Sequence, residues 1–147
     1  MTDPLVIEFE VAAPREHAFT IWTERCLMWW PADHTLTRNP AEIVFEPHTG
    51  GRIFERASDG TEHDWGVIVE WNPPEGLTYS WHLFFDPSEA TEITVTFRAT
   101  GPAATTVRLE QRGWERLGDA GAPRRTRTGQ VWTQLSRRFS EACAASY

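Results

Sequence analysis

The chain contains no lysine, and all 14 of its basic residues are arginine. A protein without a lysine amine cannot form a Schiff base with a carbonyl substrate or use lysine as a general base. The 21 acidic residues bring the formal charge to −7, and no continuous basic face is visible. Nucleic acid is therefore not expected as a partner, because phosphate-backbone binding depends on clustered positive charge.

Cysteine and long apolar runs are also scarce. The two cysteines, Cys26 and Cys143, lie far apart in the sequence. No apolar run approaches the ~18 residues of a membrane span, and no charged-then-apolar leader is visible, so no membrane insertion is expected. We predict a cytoplasmic protein with free thiols, although a bridge between the two cysteines stays open as an alternative.

Motifs for metal binding and covalent catalysis are missing as well. The histidines are scattered without the spacing of known metal ligands; they are His17, His34, His48, His63 and His82. No strand-to-helix turn carries a serine nucleophile, and the Gly50-Gly51 pair precedes a strand rather than the helix of a phosphate-binding loop. We therefore predict no metal site, no cofactor and no assigned catalytic residue.

Aromatic residues, in contrast, are abundant. Eight tryptophans and eight phenylalanines stand against two tyrosines and two methionines in 147 residues. That length fits one domain, residues 1–147, with a full core. Large flat rings must stack against protein or against a ligand, so the composition indicates either a ring-filled core or an aromatic-lined pocket.

Hydrophobic periodicity predicts an α+β chain. Apolar residues alternate in several stretches typical of half-buried strands, and turn residues such as Asp59-Gly60 and Pro73-Pro74 separate them. The strand pattern covers residues 5–11, 43–46, 52–56, 63–71, 77–83, 91–99 and 105–112. A helix is predicted to begin at Ala13-Pro14, a second short helix to end before Pro31, and residues 32–42 to be irregular and mobile.

The C-terminal segment predicts the longest helix, beginning between Pro123 and Gly129. Three arginines crowd its start, where the positive end of the helix dipole disfavours them. Either an anionic contact or ordinary solvation would compensate, and solvation is the simpler interpretation. The apolar stripe of this helix contains Val131, Trp132, Leu135, Phe139, Ala142 and Cys143.

On the central predicted strand, simple alternation places four apolar residues on the core face. These residues are Trp65, Val67, Val69 and Trp71.

A series of short motifs resembles a known family. The series begins with Val11-Ala12-Ala13-Pro14 and continues through Trp29-Trp30, Gly50-Gly51-Arg52, residues 66–74 and Trp132-x-x-Leu135. Together they resemble the bacterial homologues of the activator of Hsp90 ATPase, within the START or Bet v 1-like superfamily. Similar sequences often carry His where this chain has Gln111 before Arg112-Gly113-Trp114.

The resemblance implies a helix-grip fold, with a curved antiparallel sheet of six to seven strands around a long C-terminal helix and two short helices after the first strand. It also implies a cavity between the sheet and the long helix. The expected partner is a small apolar molecule, a homodimer is possible, and Hsp90 is not expected as a partner despite the name of the family.

We expect such a ligand to contact side chains that converge between the sheet and the long helix. The candidate ligand-binding residues are Trp22, Trp30, Phe54, Glu55, His63, Trp65, Tyr79, Trp81, Phe97, Trp114, Trp132, Leu135 and Phe139. Glu55 and His63 are each two residues from an apolar residue, so alternation places them on the same strand face as that residue. If this face lines the cavity, a buried carboxylate there could act as an acid or base; hydration near the strand ends is the simpler alternative. An enzyme of the cyclase, aromatase or hydrolase type and a co-chaperone-like interaction domain remain alternative functions.

Overall fold

The computed structural model describes residues 3–147. Seven strands form one curled antiparallel sheet in the order β1-β7-β6-β5-β4-β3-β2. The strands are β1 (Leu5–Val11), β2 (Pro40–Phe45), β3 (Arg52–Ala57), β4 (Glu62–Asn72), β5 (Gly76–Trp81), β6 (Thr91–Gly101) and β7 (Ala104–Arg112). Strands β2 to β7 thus form a meander, and the first strand, β1, pairs with the last, β7.

One α-helix follows the first strand in the sequence, and the other ends the chain. Helix α1 (Arg15–Glu24) follows β1, and helix α2 (Gly121–Ser146) packs against β1 and α1. This arrangement confirms the predicted α+β helix-grip fold. The second short helix is a single 3₁₀ turn, Cys26–Met28, and further 3₁₀ turns cover Ala32–His34, Pro87–Glu89 and Trp114–Ala120. No helix in residues 3–147 is long and apolar enough to cross a membrane.

Alternation correctly predicts the buried faces of β1 and of β5 to β7. On these strands the predicted inward residues are buried or half-buried. They are Leu5, Ile7, Phe9 and Val11, then Leu77, Tyr79 and Trp81, then Ile93, Val95 and Phe97, and finally Val107 and Leu109.

The prediction for β4 is wrong at two positions. Val67 and Val69 are 44% and 42% exposed, whereas Ile68 between them is buried. The register shifts at Trp65, which is an extra residue opposite β3, and again at Val69, which is an extra residue opposite β5. Each β-bulge inserts one residue and so reverses the alternation, and the second bulge brings Trp71 back toward the core.

Helix α2 begins two residues before the predicted range, at Gly121. Pro123 is therefore its third residue, where the backbone N–H has no partner within the helix and the proline ring is tolerated. A Cβ at Gly121 would lie 2.2 Å from the carbonyl oxygen of Trp114, so glycine allows the helix to begin against that residue.

The core-facing stripe of α2 is confirmed at Leu135 and Phe139, which are buried. It is not confirmed at Val131, which is 37% exposed.

The centre of the molecule is filled by aromatic rings packed on one another. The indole of Trp22 stacks on that of Trp132, with ring centroids 5.8 Å apart, and meets Phe139 edge-on at 5.0 Å. Trp29 and Phe97 also contact Trp22. Edge-to-face and offset pairs each add about 0.5–1.5 kcal/mol beyond area burial. Most of the aromatic content is therefore structural.

Candidate ligand-binding cavity

The ring-filled core leaves a cavity of about 300 Å³ beside the first half of α2. Its wall combines the segment after β5, the first four turns of α2 and the tryptophans at the end of the core. The lining residues are Trp30, His34, Trp81, Leu83, Phe84, Phe85, Gln111, Arg124, Arg127, Thr128, Val131, Trp132 and Leu135. The exposure of Phe84, Phe85 and Val131 shows that one side of the cavity is open to solvent.

Three indoles form the inner wall and are held in place by contacts with one another. Trp30 meets Trp81 edge-on with ring centroids 5.6 Å apart, and it meets Trp132 edge-on at 5.9 Å. The Trp30 indole N–H also donates to the carbonyl oxygen of His34 at 3.0 Å. Because these rings are already oriented, an apolar ligand would meet a preformed surface.

Gln111 ties the cavity wall to the sheet. It lies on β7 and is 1% exposed. Its amide nitrogen donates to the Thr91 hydroxyl at 2.8 Å, and its amide oxygen accepts the Trp132 indole N–H at 2.9 Å. Each end of the amide thus makes one hydrogen bond within the protein, and the bond to the indole holds Trp132 in position.

Charge is concentrated where α2 begins. Arg124 is only 6% exposed, and its Nη1 donates to the carbonyl oxygen of Glu89 at 3.0 Å. Its guanidinium carbon lies 3.4 Å from the centre of the Phe85 ring. Burial lowers the pKa of Arg124, and the neighbouring charge of Arg127 acts in the same direction while that of Glu89 opposes it. Arg124 is therefore a desolvated cation at the mouth of an aromatic cavity.

His34 contributes an imidazole to the same wall. Its Nδ1 atom is buried and has no hydrogen-bond partner within residues 3–147. The residue belongs to the 3₁₀ turn Ala32–His34, which follows the tryptophan pair Trp29-Trp30. It is the one histidine among the residues that line this cavity.

Four of the thirteen predicted ligand-binding residues line the cavity, namely Trp30, Trp81, Trp132 and Leu135. Nine lie outside it: Trp22, Phe54, Glu55, His63, Trp65, Tyr79, Phe97, Trp114 and Phe139.

The nine excluded residues have other surroundings. Most are core rings, such as Trp22 and Phe97, whose faces other rings already cover. Phe54 is buried by the guanidinium groups of Arg52 and Arg56, which lie 4.2 and 5.3 Å from its ring centre. His63 lies half-buried near the start of β4.

Glu55 is fully buried, but its carboxylate is saturated by donors. One oxygen accepts the backbone N–H of Leu36 at 2.6 Å and the indole N–H of Trp65 at 2.9 Å. The other accepts the backbone N–H and the hydroxyl of Thr37, at 3.0 and 2.8 Å. Burial alone would raise the pKa of Glu55, but the four hydrogen bonds outweigh it and hold the pKa below its ordinary value. Glu55 therefore anchors the loop before β2 and is not poised as an acid or base.

Sequence reasoning missed nine lining residues: His34, Leu83, Phe84, Phe85, Gln111, Arg124, Arg127, Thr128 and Val131. Leu83 was assigned to the predicted strand 77–83 and Val131 to the apolar stripe of the C-terminal helix, and neither was assigned to the cavity. The crowding of arginines at the start of α2 and the Phe84-Phe85 pair were the available signals. Neither signal indicates a cavity by itself, because the two segments are distant in sequence.

No group of three or more potential metal-ligating residues occurs within residues 3–147.

Comparisons with known proteins agree with the fold. The self-sacrificing resistance protein CalC from Micromonospora echinospora is 30% identical, with a TM-score of 0.78, and the match covers 98% of this chain and 96% of that one. The anthrahydroquino-gamma-pyrone synthase Txn09, solved in complex with SUM, is also 30% identical, with a TM-score of 0.63 and coverage of 96% and 97%. A protein of Mesorhizobium loti is 21% identical, with a TM-score of 0.73 and coverage of 98% of both chains.

A search of curated protein sequences gave no match. The family model described as "Activator of Hsp90 ATPase homolog 1-like protein" matches residues 12–143. That match covers α1, strands β2 to β7 and all of α2 except its last three residues, and it begins directly after β1. The chain therefore belongs to the family of activator of Hsp90 ATPase homolog 1-like proteins.

Proposed function

We propose that this protein binds a small aromatic molecule in the cavity beside α2. The observation that carries the proposal is a void of about 300 Å³ walled by the indoles of Trp30, Trp81 and Trp132. Ligand pockets typically measure ~300–1,000 Å³ and are mostly apolar with a few polar groups. The cavity therefore suits a compact ring system rather than a long lipid chain.

The relatives support an aromatic ligand. One protein with 30% identity over nearly the whole chain is described as an anthrahydroquino-gamma-pyrone synthase, a name that specifies a fused ring system. Another, at the same identity, is described as a resistance protein. Binding of a ring system is the activity that the present cavity can supply, because its inner wall offers flat, oriented aromatic surfaces.

A filled cavity tests the proposal. Val131 lies at the open side of the cavity, and Val131→Phe would occupy space that a ligand needs. The matched control is Val67→Phe, because Val67 is similarly exposed but lies on the outer face of β4. We expect the neutral fluorescent probe N-phenyl-1-naphthylamine to bind the wild-type protein and the Val67→Phe variant alike, and to bind Val131→Phe about tenfold more weakly. Equal binding to all three proteins would refute this site.

Identification of the natural ligand requires a separate measurement. Native mass spectrometry of the protein purified from its own host would show whether a small molecule remains bound. The expected result is an added mass that disappears in the Val131→Phe variant and persists in Val67→Phe.

Catalysis of the cyclase, aromatase or hydrolase type is a second candidate, and His34 favours it. Its imidazole lines the cavity, and imidazole is the side chain that most often transfers protons to or from a bound ligand near neutral pH. Glu55 and His63, the acid-base candidates from the sequence, lie outside the cavity. The test is turnover of the retained molecule by wild-type protein and by His34→Gln, which should abolish turnover while leaving binding of the neutral probe unchanged.

A further inference from the structure

The structure points to a negatively charged group on the ligand: we propose that the cavity takes an aromatic molecule carrying a carboxylate or another anionic oxygen group, bound by Arg124 and Arg127. This inference rests on the proposed function, because it concerns the same cavity, and it adds the chemical class of the ligand.

Arg124 is a buried cation without an acidic partner. The residue is only 6% exposed, yet no carboxylate in residues 3–147 lies within ion-pair distance. Of its five N–H groups, only one at Nη1 has an acceptor, the carbonyl oxygen of Glu89. Arginine is almost never this buried unless it is paired. The remaining donors are not fully occluded, and Arg124 lines the cavity, so the cavity is where an acceptor can reach them.

The surroundings of Arg124 add positive charge. Arg127 lies three residues further along α2 and lines the same cavity, so the two side chains share one face of the helix. Both are in the first two turns of α2, where the helix dipole is positive and disfavours cations. An anion between the two guanidinium groups would relieve both repulsions and would complete the hydrogen bonding of Arg124.

The cavity wall has no negative charge of its own. The lining residues include two arginines and one histidine but no aspartate or glutamate. This local excess stands out in a chain whose formal charge is −7. Among the lining residues, a bound anion would therefore meet two arginines and no carboxylate, and the exposed carboxylate of Glu89, whose charge acts on Arg124, lies outside this lining.

The positions of the charged and aromatic parts set the ligand's shape. Arg124 and Trp132 are eight residues apart on α2, about 12 Å along the helix axis. An aromatic ring system against the three indoles, with an acidic substituent directed toward the start of α2, would reach both ends of the cavity.

A pair of probes of nearly equal shape tests this inference. The probes are 2-naphthoate, which is anionic, and 2-naphthamide, which is neutral, and their affinities are measured by isothermal titration calorimetry. We expect wild-type protein to bind 2-naphthoate about tenfold more tightly than 2-naphthamide, because the carboxylate adds a charge–charge attraction to the two guanidinium groups that the neutral amide lacks. In Arg124→Gln the preference should shrink, mainly through a loss for 2-naphthoate, and Arg127 should retain only a part of it.

The controls separate charge recognition from folding and from general electrostatics. Arg137→Gln removes one exposed arginine on α2 outside the cavity and should keep the preference. Arg127→Gln should reduce the preference, and it keeps the test valid if Arg124→Gln does not fold, since Arg127 makes no hydrogen bond within residues 3–147. Raising the salt concentration should weaken 2-naphthoate binding and leave 2-naphthamide binding unchanged.

The outcomes distinguish this inference from the proposed function. Equal affinities of wild-type protein for the two probes would overturn the anionic ligand while leaving aromatic binding intact. A preference for 2-naphthoate that stays unchanged in both Arg124→Gln and Arg127→Gln would also overturn it. Failure of both probes, together with N-phenyl-1-naphthylamine, to bind would overturn the proposed function and this inference with it.

Discussion

The carboxylate of Glu55 provides the sharpest stability prediction. It accepts four hydrogen bonds, three of them from the loop that precedes β2 and one from the indole of Trp65. In Glu55→Gln one carboxylate oxygen becomes an NH₂ group. Each carboxylate oxygen accepts one backbone N–H, from Leu36 or from Thr37. Whichever oxygen the NH₂ group replaces, two N–H donors therefore point at each other and one hydrogen bond is lost.

The magnitude follows from the number and type of lost bonds. A buried donor without a partner costs about 1–3 kcal/mol, and the remaining bonds lose the strengthening given by the negative charge. We therefore expect a loss of about 3 kcal/mol in the free energy of unfolding. With an unfolding entropy of about 2.1 cal/mol/K per residue, this loss lowers the melting temperature by about 10 °C for a chain of 147 residues.

The loss should depend on pH in a defined direction. The folded-state pKa of Glu55 lies below its ordinary value. Its contribution to stability is therefore fully present above the unfolded-state pKa of about 4.3 and disappears as the pH falls through the lower folded-state pKa. The stability difference between wild-type protein and Glu55→Gln should be largest near pH 7 and should narrow in acid.

The assay is urea unfolding followed by tryptophan fluorescence between pH 7 and pH 3, with Glu70→Gln as the matched control. Glu70 is exposed on β4, so its replacement should change stability by less than about 0.5 kcal/mol. Faster amide hydrogen exchange at Leu36 and Thr37 in Glu55→Gln would locate the effect in the anchored loop. A cost below about 0.5 kcal/mol at pH 7, or a difference that does not narrow in acid, would refute the assigned role of Glu55.

Three further perturbations address the sheet, the core and the thiols. Gly66→Ala should cost about 3 kcal/mol or more, because the added Cβ would lie 1.8 Å from a backbone carbonyl oxygen of β5; Gly101→Ala, with 3.6 Å of clearance, should be mild in the same urea unfolding experiment. Phe139→Ala should cost about 3–5 kcal/mol in the urea midpoint analysis, because a fully buried ring is removed from the aromatic core, and a cost below 1 kcal/mol would contradict that packing. Burial raises the pKa of both thiols, that of Cys143 to about 12 and that of Cys26 further. Neither thiol should therefore react with Ellman's reagent at pH 8 until denaturant is added. Rapid reaction of the native protein would disprove their burial.

The fold was predictable from local patterns because its signals are local. Alternation over a few residues marked the inward faces of β1 and of β5 to β7, and the Asp59-Gly60 and Pro73-Pro74 turns separated neighbouring strands. The alternation prediction was wrong on β4 because the strand contains two bulges. A bulge arises from the pairing with the neighbouring strands and not from the strand's own residues. The identities of Val67 and Val69 do not indicate how β4 pairs with β3 and β5.

The candidate site was predictable only in part. The sequence placed Trp30, Trp81, Trp132 and Leu135 among the candidates because aromatic and apolar residues on inward faces must converge between sheet and helix. These four residues line the cavity. The sequence could not indicate which rings would cover one another and which would border a void, since that depends on packing among segments far apart in the chain. Trp22 and Phe97 were candidates on the same grounds, but other rings cover them and they lie in the solid core.

The amino-acid sequence by itself determined the element order, the aromatic interior and the family, because periodicity, turn residues and short motifs are properties of neighbouring positions. Only the tertiary structure decided that Glu55 anchors a loop and that Arg124 is a buried cation beside a cavity. Burial and hydrogen bonding arise when distant segments meet: Glu55 meets residues 36–37, and Arg124 meets Phe85 and Glu89. The chemistry of the cavity therefore depends on contacts that no local pattern contains.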